Sequence, residues 1–260
     1  MERAGATERA GGYGAGRLGD GAPLIGAAEE ASCLALSHEG LKKRSQGGLM
    51  ELSRVQAVLL DMDGTLVDSD AAVERSWRTW AVEYPVDPGR GPLVAHGLPA
   101  VSNVRRLRPD LSEDEAAAAA QHQLELEYDD VADVTPTPGA HELVAELDRL
   151  GLSWAVVTSA DVPLARVRLD AAGIGPALLV TIEDVRHGKP DPEGYLLAAR
   201  KLGVDPRRCL VVEDAEAGVR AGRAAGATVA ALKGVPADIE IADLYQLSAL
   251  LREACVTRRT

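Results

Sequence analysis

Residues 55–69 read Val55-Gln56-Ala57-Val58-Leu59-Leu60-Asp61-Met62-Asp63-Gly64-Thr65-Leu66-Val67-Asp68-Ser69. The apolar run from Val55 to Leu60 is broken only by Gln56 and the small Ala57. It has the length and character of a strand buried on both faces, as in a parallel sheet. The run stops at Asp61, with Asp63 and Gly64 close behind. Two carboxylates at this spacing do not both point into a core, because an unpaired buried charge costs too much. They belong at the carboxyl end of the strand, where open α/β sheets place ligands. The same residues also fit a strand followed by an Asx-type turn, so the choice rests on the rest of the chain.

As a site, two acids and a glycine turn suit a hard cation such as Mg²⁺, which takes oxygen ligands and keeps several waters. A carboxylate held there could attack phosphorus and form an aspartyl phosphate. The second acid could serve first as general acid and then as general base.

The 260 residues suffice for one large α/β domain, or a core with a small second domain. There is no Phe and aromatics are 3%, so Ala, Val and Leu must build the core. A net charge of −12 argues against a nucleic-acid partner. It does not exclude an anionic small substrate, since a metal and a lysine can invert the local field. Cys33, Cys209 and Cys255 form no disulfide or zinc pattern, and Cys209 reads as a small core residue. No apolar stretch is long enough to span a membrane, and no signal-peptide core opens the chain. A soluble cytoplasmic protein, monomer or homodimer, is the expectation.

Residues 1–50 are rich in Gly, Ala, Arg and Glu and read as a disordered extension. Gly14, Gly16 and Gly19 spell GxGxxG, but without the preceding strand that a dinucleotide fingerprint needs. Met50 reads as the natural start. Residues 70–136 are expected to be a helical insertion without a clear strand, between core segments 51–69 and 137–260. Within it, Ala71, Val73, Trp77, Trp80 and Ala81 recur at helical spacing, and the two tryptophans read as packing residues. Ser112-Glu113-Asp114-Glu115 is a capping box opening an Ala-rich helix, whose Ala116–Ala120 run reads as helix propensity alone. From Pro138 onward strands and helices alternate, ending in a helix expected over 239–254. The fold class expected is α/β, a Rossmann-like doubly wound parallel sheet with an inserted helical cap.

Three further pieces follow in order. The strand near 154–158 ends in Thr158-Ser159, whose hydroxyl and free N–H groups suit a phosphate. Lys189 lies in Gly188-Lys189-Pro190-Asp191-Pro192, one of only two lysines between residues 44 and 232. Flanking Gly and Pro fix its backbone, as suits a lysine clamping a phosphate and a carboxylate. The strand from Cys209 ends in Glu213-Asp214, which either caps the next helix or completes a cation site opposite Asp61 and Asp63.

Together these pieces, DxDGT, Thr-Ser, Lys-Pro-Asp-Pro and Glu-Asp-x-x-x-Gly, resemble the haloacid dehalogenase (HAD) superfamily over residues 55 to about 232. A helical insertion just after the first motif resembles the cap of the subfamily containing phosphoglycolate phosphatase and beta-phosphoglucomutase. His96-Gly97-Leu98-Pro99 and the Val-Val-Thr-Ser-Ala stretch are most similar to small sugar or polyol phosphate phosphatases. Leu98 stands where such proteins often carry Arg or Lys. The resemblance implies a Mg²⁺-dependent phosphatase acting on a small phosphorylated metabolite. It implies Asp61 as nucleophile and Asp63 as acid and base, with the Asp63 backbone carbonyl on the metal. Gly64, Thr158, Ser159 and Lys189 would hold the phosphoryl group, and Asp214 with Glu213 would hold Mg²⁺. His96, Asn103 and Arg105 are the cap candidates for reading the substrate's other end.

A phosphomutase on the same fold, passing the phosphoryl group to a sugar hydroxyl, is the nearest alternative. A phospho-receiver module would have no use for the helical insertion or for Asp63. A dehalogenase would lack the second acid.

Overall fold

The computed structural model describes residues 51–257 apart from 88 and 90–92. The amino-terminal extension, its GxGxxG and Met50 lie outside the described residues.

The sheet grows outward from β1 (Ala57–Leu60). Successive side chains of a strand point to opposite faces. Val58 and Leu60 accordingly enter one apolar cluster, and Ala57 and Leu59 a second on the other face. With no wet face, β1 must be flanked on both edges and covered on both sides. Its neighbours are β4 (Ser153–Val157), pairing Leu60 with Val156, and β6 (Cys209–Glu213), pairing Leu60 with Val212. β5 (Leu179–Val180) lies outside β4; β7 (Thr228–Ala231) and β8 (Ile239–Glu240) lie outside β6. All six strands are parallel, in the order β5-β4-β1-β6-β7-β8.

α4 (Ala140–Leu150), α5 (Val162–Ala171) and α8 (Leu244–Thr257) cover the first face. α6 (Glu193–Leu202) and α7 (Glu216–Ala224) cover the second. α7 seats closely because Gly222 faces Val211 and Val229, where an added Cβ would lie 2.9 Å from each side chain. From β1 the chain winds one way to β4 and β5, and from β6 it winds the other way. The ends of β1 and β6 therefore flank the switch point where open sheets bind ligands. Asp61 and the Glu213-Asp214 pair stand there.

The helical segment leaves the sheet domain through β2 (Val67–Asp68) and returns through β3 (Thr135–Pro136), an antiparallel pair. Between them lie α1 (Asp70–Glu83), α2 (Ala100–Leu107) and α3 (Glu113–Tyr128). These helices carry an apolar cluster of their own, centred on Trp77, Trp80, Val104 and Leu107. Trp80 is fully buried and donates its indole N–H to the Ala119 carbonyl at 2.9 Å. The Ser112–Glu115 capping box forms at the start of α3.

Three expectations change. The Ala116–Ala120 run is more than propensity: Ala116, Ala119 and Ala120 are buried, and their small side chains let α3 approach the tryptophans. Residues 135–136 are a short strand, because the returning chain finds the edge of Val67–Asp68. Ile239–Glu240 is also a strand and not the start of the last helix. The β7 edge takes it up, with Asp238 N donating to Val229 O at 3.1 Å and Ile241 N to Ala231 O at 2.9 Å. Cys209 is buried in the core, as expected.

Candidate active site

Asp61 follows β1 and is 4% exposed. Its N–H donates to Val212 O at 3.0 Å, which extends the β1–β6 pairing and fixes the side chain at the sheet's end. Lys189, from the loop before α6, donates to Asp61 Oδ1 and to Glu213 Oε1 at 2.6 Å. The Tyr195 hydroxyl donates to the same Glu213 oxygen at 2.6 Å. Glu213 Oε2 accepts the N–H groups of Asp214 and Ala215 at 3.1 and 3.4 Å. Four donors thus hold the fully buried Glu213 carboxylate. Gly218 makes room for it: a Cβ there would fall 1.7 Å from Glu213 Oε1.

The acids crowd one another. Oxygens of Asp61, Glu213 and Asp214 lie within 4.8 Å of each other. Burial pushes the Asp61 carboxyl well above its usual range, and the Glu213 charge adds to this. Burial, then Glu213, pushes Asp214 up to about 6. Burial opposes the charge on Lys189, yet Asp61 and Glu213 hold its ammonium above its ordinary value. Burial and Glu213 likewise raise the Tyr195 phenol. Lys233, in the loop after β7, sits 3.0 Å from Asp214 and 2.7 Å from Asp70. A cluster of three buried carboxylates is a donor set suited to a hard, oxygen-seeking divalent cation. Gly64 approaches this cluster at φ 77°, and a Cβ there would lie 2.0 Å from Asp214 Oδ2.

A cavity of about 80 Å³ opens beside Asp61 and Asp63, between the sheet domain and the helical segment. Thr158, Ser159 and Arg168 line it from one side, and His96, Gly97 and Leu98 from the other. The two sides meet directly. Ser159 Oγ donates to Gly97 O at 2.8 Å. Gly97 approaches Ala215, and Pro99 approaches Gly188, closely enough that a Cβ on either glycine would collide. Thr158 Oγ1 accepts the Ala160 N–H at 3.0 Å, which shapes the turn after β4.

Asp61, Asp63, Thr158 and Ser159 therefore share one cavity, with Lys189, Glu213 and Asp214 joined to it through Asp61. The cap candidates separate. His96 is on the cavity wall, half exposed. Asn103 is also on the wall, but its amide is engaged by the loop it braces. Its Oδ1 accepts the Ala95 N–H at 2.9 Å, its Nδ2 donates to Ala95 O at 3.1 Å, and Arg106 donates to it at 3.1 Å. Arg105 does not line the cavity; it faces outward and lies 3.7 Å from Glu113. On a helix of little more than two turns the pattern cannot show which face turns inward until its packing partner is known. Trp77 packs on Trp80 and also reaches the cavity wall.

Sequence reasoning passed over Arg168, Glu127, Gln123 and Tyr195. Arg168 Nη1 donates to Asp63 Oδ1 at 2.9 Å and Nη2 to Glu127 Oε2 at 2.5 Å. Its position within a run of basic and apolar residues on α5 gave no sign of this. A possible signal was charge itself, since an arginine on a helix that must cover the sheet is costly unless paired.

The model of the haloacid dehalogenase-like hydrolases matches residues 55–226, which span the Asp61, Thr158, Lys189 and Glu213-Asp214 motifs. The chain is a haloacid dehalogenase-like hydrolase. This hydrolase is 42% identical over 186 residues to hexitol phosphatase A of Escherichia coli, covering 71% of the chain and 86% of that protein. It is 32% identical to glycerol-1-phosphate phosphohydrolase 2 of Saccharomyces cerevisiae, covering 78% and 80%. Among solved structures, beta-phosphoglucomutase of Clostridium difficile superposes with a TM-score of 0.69 over 79% of the chain and 100% of that protein. At 19% identity, it shares the fold.

Proposed function

We propose that this phosphoric monoester hydrolase releases inorganic phosphate from a small sugar or polyol phosphate, with Asp61 as nucleophile and Mg²⁺ as its cation. The observation that carries the proposal is the placement of Asp61. It is buried at the switch point, gripped by Lys189, and shares a cavity with a second acid, Asp63, and with Thr158. The names of the hexitol and glycerol phosphate relatives support the substrate class.

In this reading an Asp61 oxygen forms a bond to phosphorus as the bond from phosphorus to the alkyl oxygen breaks. Asp63 gives its proton to the departing alkoxide, then takes one from water as that water attacks the aspartyl phosphate. Phosphate leaves and the Asp61 carboxylate returns. Thr158 and the Ser159 amide hold phosphoryl oxygens, and Lys189 offsets charge between Asp61 and the phosphoryl group. Asp61 and Asp214 would hold Mg²⁺ with the Asp63 carbonyl. The fully engaged Glu213 carboxylate serves better as the anchor of Lys189 than as a ligand. Bound there, the cation would neutralise charge on the phosphoryl oxygens. The helices of residues 70–136 act as a cap that excludes bulk water, with His96 as a reader of the substrate's far end.

The test is phosphate release from hexitol, glycerol, hexose and glycolate phosphates, with Mg²⁺ and with EDTA. Mg²⁺-dependent release, greatest on a hexitol, glycerol or hexose phosphate, is expected. Interconversion of glucose phosphates without release would replace the phosphatase by a mutase.

A further inference from the structure

Arg168 is 2% exposed, carried by α5 of the sheet domain, and held between two carboxylates from distant parts of the chain. One prong, Nη1, meets Asp63 Oδ1 at 2.9 Å; the other, Nη2, meets Glu127 Oε2 at 2.5 Å. Glu127 belongs to α3 of the helical segment. It is itself held there, accepting from Ser76 of α1 at 3.2 Å and from Gln123 of α3. A buried guanidinium requires partners on more than one edge, and its planar fork suits two carboxylates at once.

Ser69 Oγ also donates to Asp63 Oδ1, at 2.7 Å. Both donors therefore engage the same oxygen of Asp63. A carboxyl anchored through Oδ1 is restrained in rotation, and Oδ2 is the oxygen that neither donor touches.

We propose that Arg168 is a positioning residue for Asp63, selecting the oxygen that exchanges protons with the substrate, and that the helical segment completes its hold through Glu127. The proposal rests on the reading of Asp63 as acid and base. Without Arg168 the carboxyl would rotate about its bond to the chain, and only Ser69 would restrain it. Without Glu127 one prong of the fork would have no anchor, and Arg168 would hold Asp63 less firmly.

The experiment compares two substrates that differ in their need for a proton. Glycerol phosphate loses an alkoxide and requires the acid; p-nitrophenyl phosphate loses a stable phenolate and does not. Misplacing a catalytic group by about 1 Å costs on the order of 10²-fold. Arg168→Lys is expected to slow first-turnover release of glycerol, read by rapid quench at saturating substrate before the aspartyl phosphate is hydrolysed, by about that factor. The loss in the first-turnover burst of p-nitrophenolate is expected to stay under about tenfold, while the later hydrolysis of the aspartyl phosphate, for which Asp63 is the base, slows alike from both substrates. Arg168→Gln with Glu127→Gln removes the two buried charges together and leaves only Asp63, whose part-exposed carboxylate keeps Ser69 as a donor, and the same split is expected. Glu127→Gln alone should give the same pattern at smaller size. Equal losses in first-turnover release from both substrates, or losses that vanish at saturating substrate, would overturn the proposal in favour of a packing role. Asp63→Asn is the reference. If it shows the split and the Arg168 variants do not, the positioning role fails and the acid–base reading stands. If Asp63→Asn shows no split, the acid–base reading fails, and the positioning role with it.

Discussion

The Lys189 ammonium lies 2.6 Å from Glu213 Oε1, where the three buried carboxylates of Asp61, Glu213 and Asp214 converge. Glu213 is held in turn by Tyr195 and two backbone N–H groups, so the lysine is fixed from behind as it faces Asp61. Removing one partner of a buried ion pair typically costs about 3–5 kcal/mol, because the remaining charge is left uncompensated. Lys189→Met is expected to lose stability in that range and to lose turnover. Urea unfolding of the two proteins at neutral pH checks the first, and phosphate release the second.

Asp61→Asn should behave differently. Asp61 is buried beside two other acids, which raises the cost of its charge, and Lys189 retains Glu213 as a partner. Turnover should vanish because an amide cannot attack phosphorus, while the melting temperature without metal should equal or exceed that of the parent. A thermal melt in EDTA measures this; a marked fall would show that Asp61 contributes to the fold as well as to the chemistry.

Gly218 is required for room. An added Cβ would lie within 2.4 Å of three Glu213 carboxylate atoms, closer than a flexible side chain can yield when four donors hold it. Overpacking a filled interior costs about 1–3 kcal/mol. Gly218→Ala should show a loss of that order in chemical denaturation, and a larger fractional loss in kcat because Lys189 moves with Glu213.

Glu146 ties α4 to α8, accepting from Arg149 at 2.9 and 2.5 Å and from Arg252 at 3.1 and 3.3 Å. The Arg149 hydrogen bonds, with Arg252 behind them, lower its carboxyl to about 2. A depressed acid contributes stability above its unfolded value, near 4.5, and loses it as pH falls toward about 2. Stability should therefore decline across that interval, and Glu146→Gln should decline less. Denaturant midpoints at stepped pH values measure the difference.

The sheet was legible because β1 shows its burial in composition: six residues with almost no polar interruption admit few other readings. The site's acids, hydroxyls and lysine were legible because each ends a strand or sits in a rigid loop, where local sequence fixes direction. Asn103 and Arg105 differ in kind. They lie on one short helix, and only the packing of α2 against α3 and against the loop before it determines that one braces backbone and the other faces out. Arg168 was invisible for a related reason. Its partners come from 105 and 41 residues away, and no local pattern encodes a contact made by three separate segments. Ile239 was misplaced because a two-residue strand exists only when a neighbouring edge offers it hydrogen bonds.

Chemical trapping during turnover addresses the central claim most directly. Asp63→Asn should still form the aspartyl phosphate with p-nitrophenyl phosphate, whose leaving group needs no proton, but should hydrolyse it slowly. Acid quench of that variant with Mg²⁺, followed by peptide mass spectrometry, should find the phosphoryl group on Asp61, and none in the variant that also carries Asp61→Asn. Substrate consumption with no phosphoryl group on Asp61 at any quench time, or undiminished turnover in Asp61→Asn, would contradict the account.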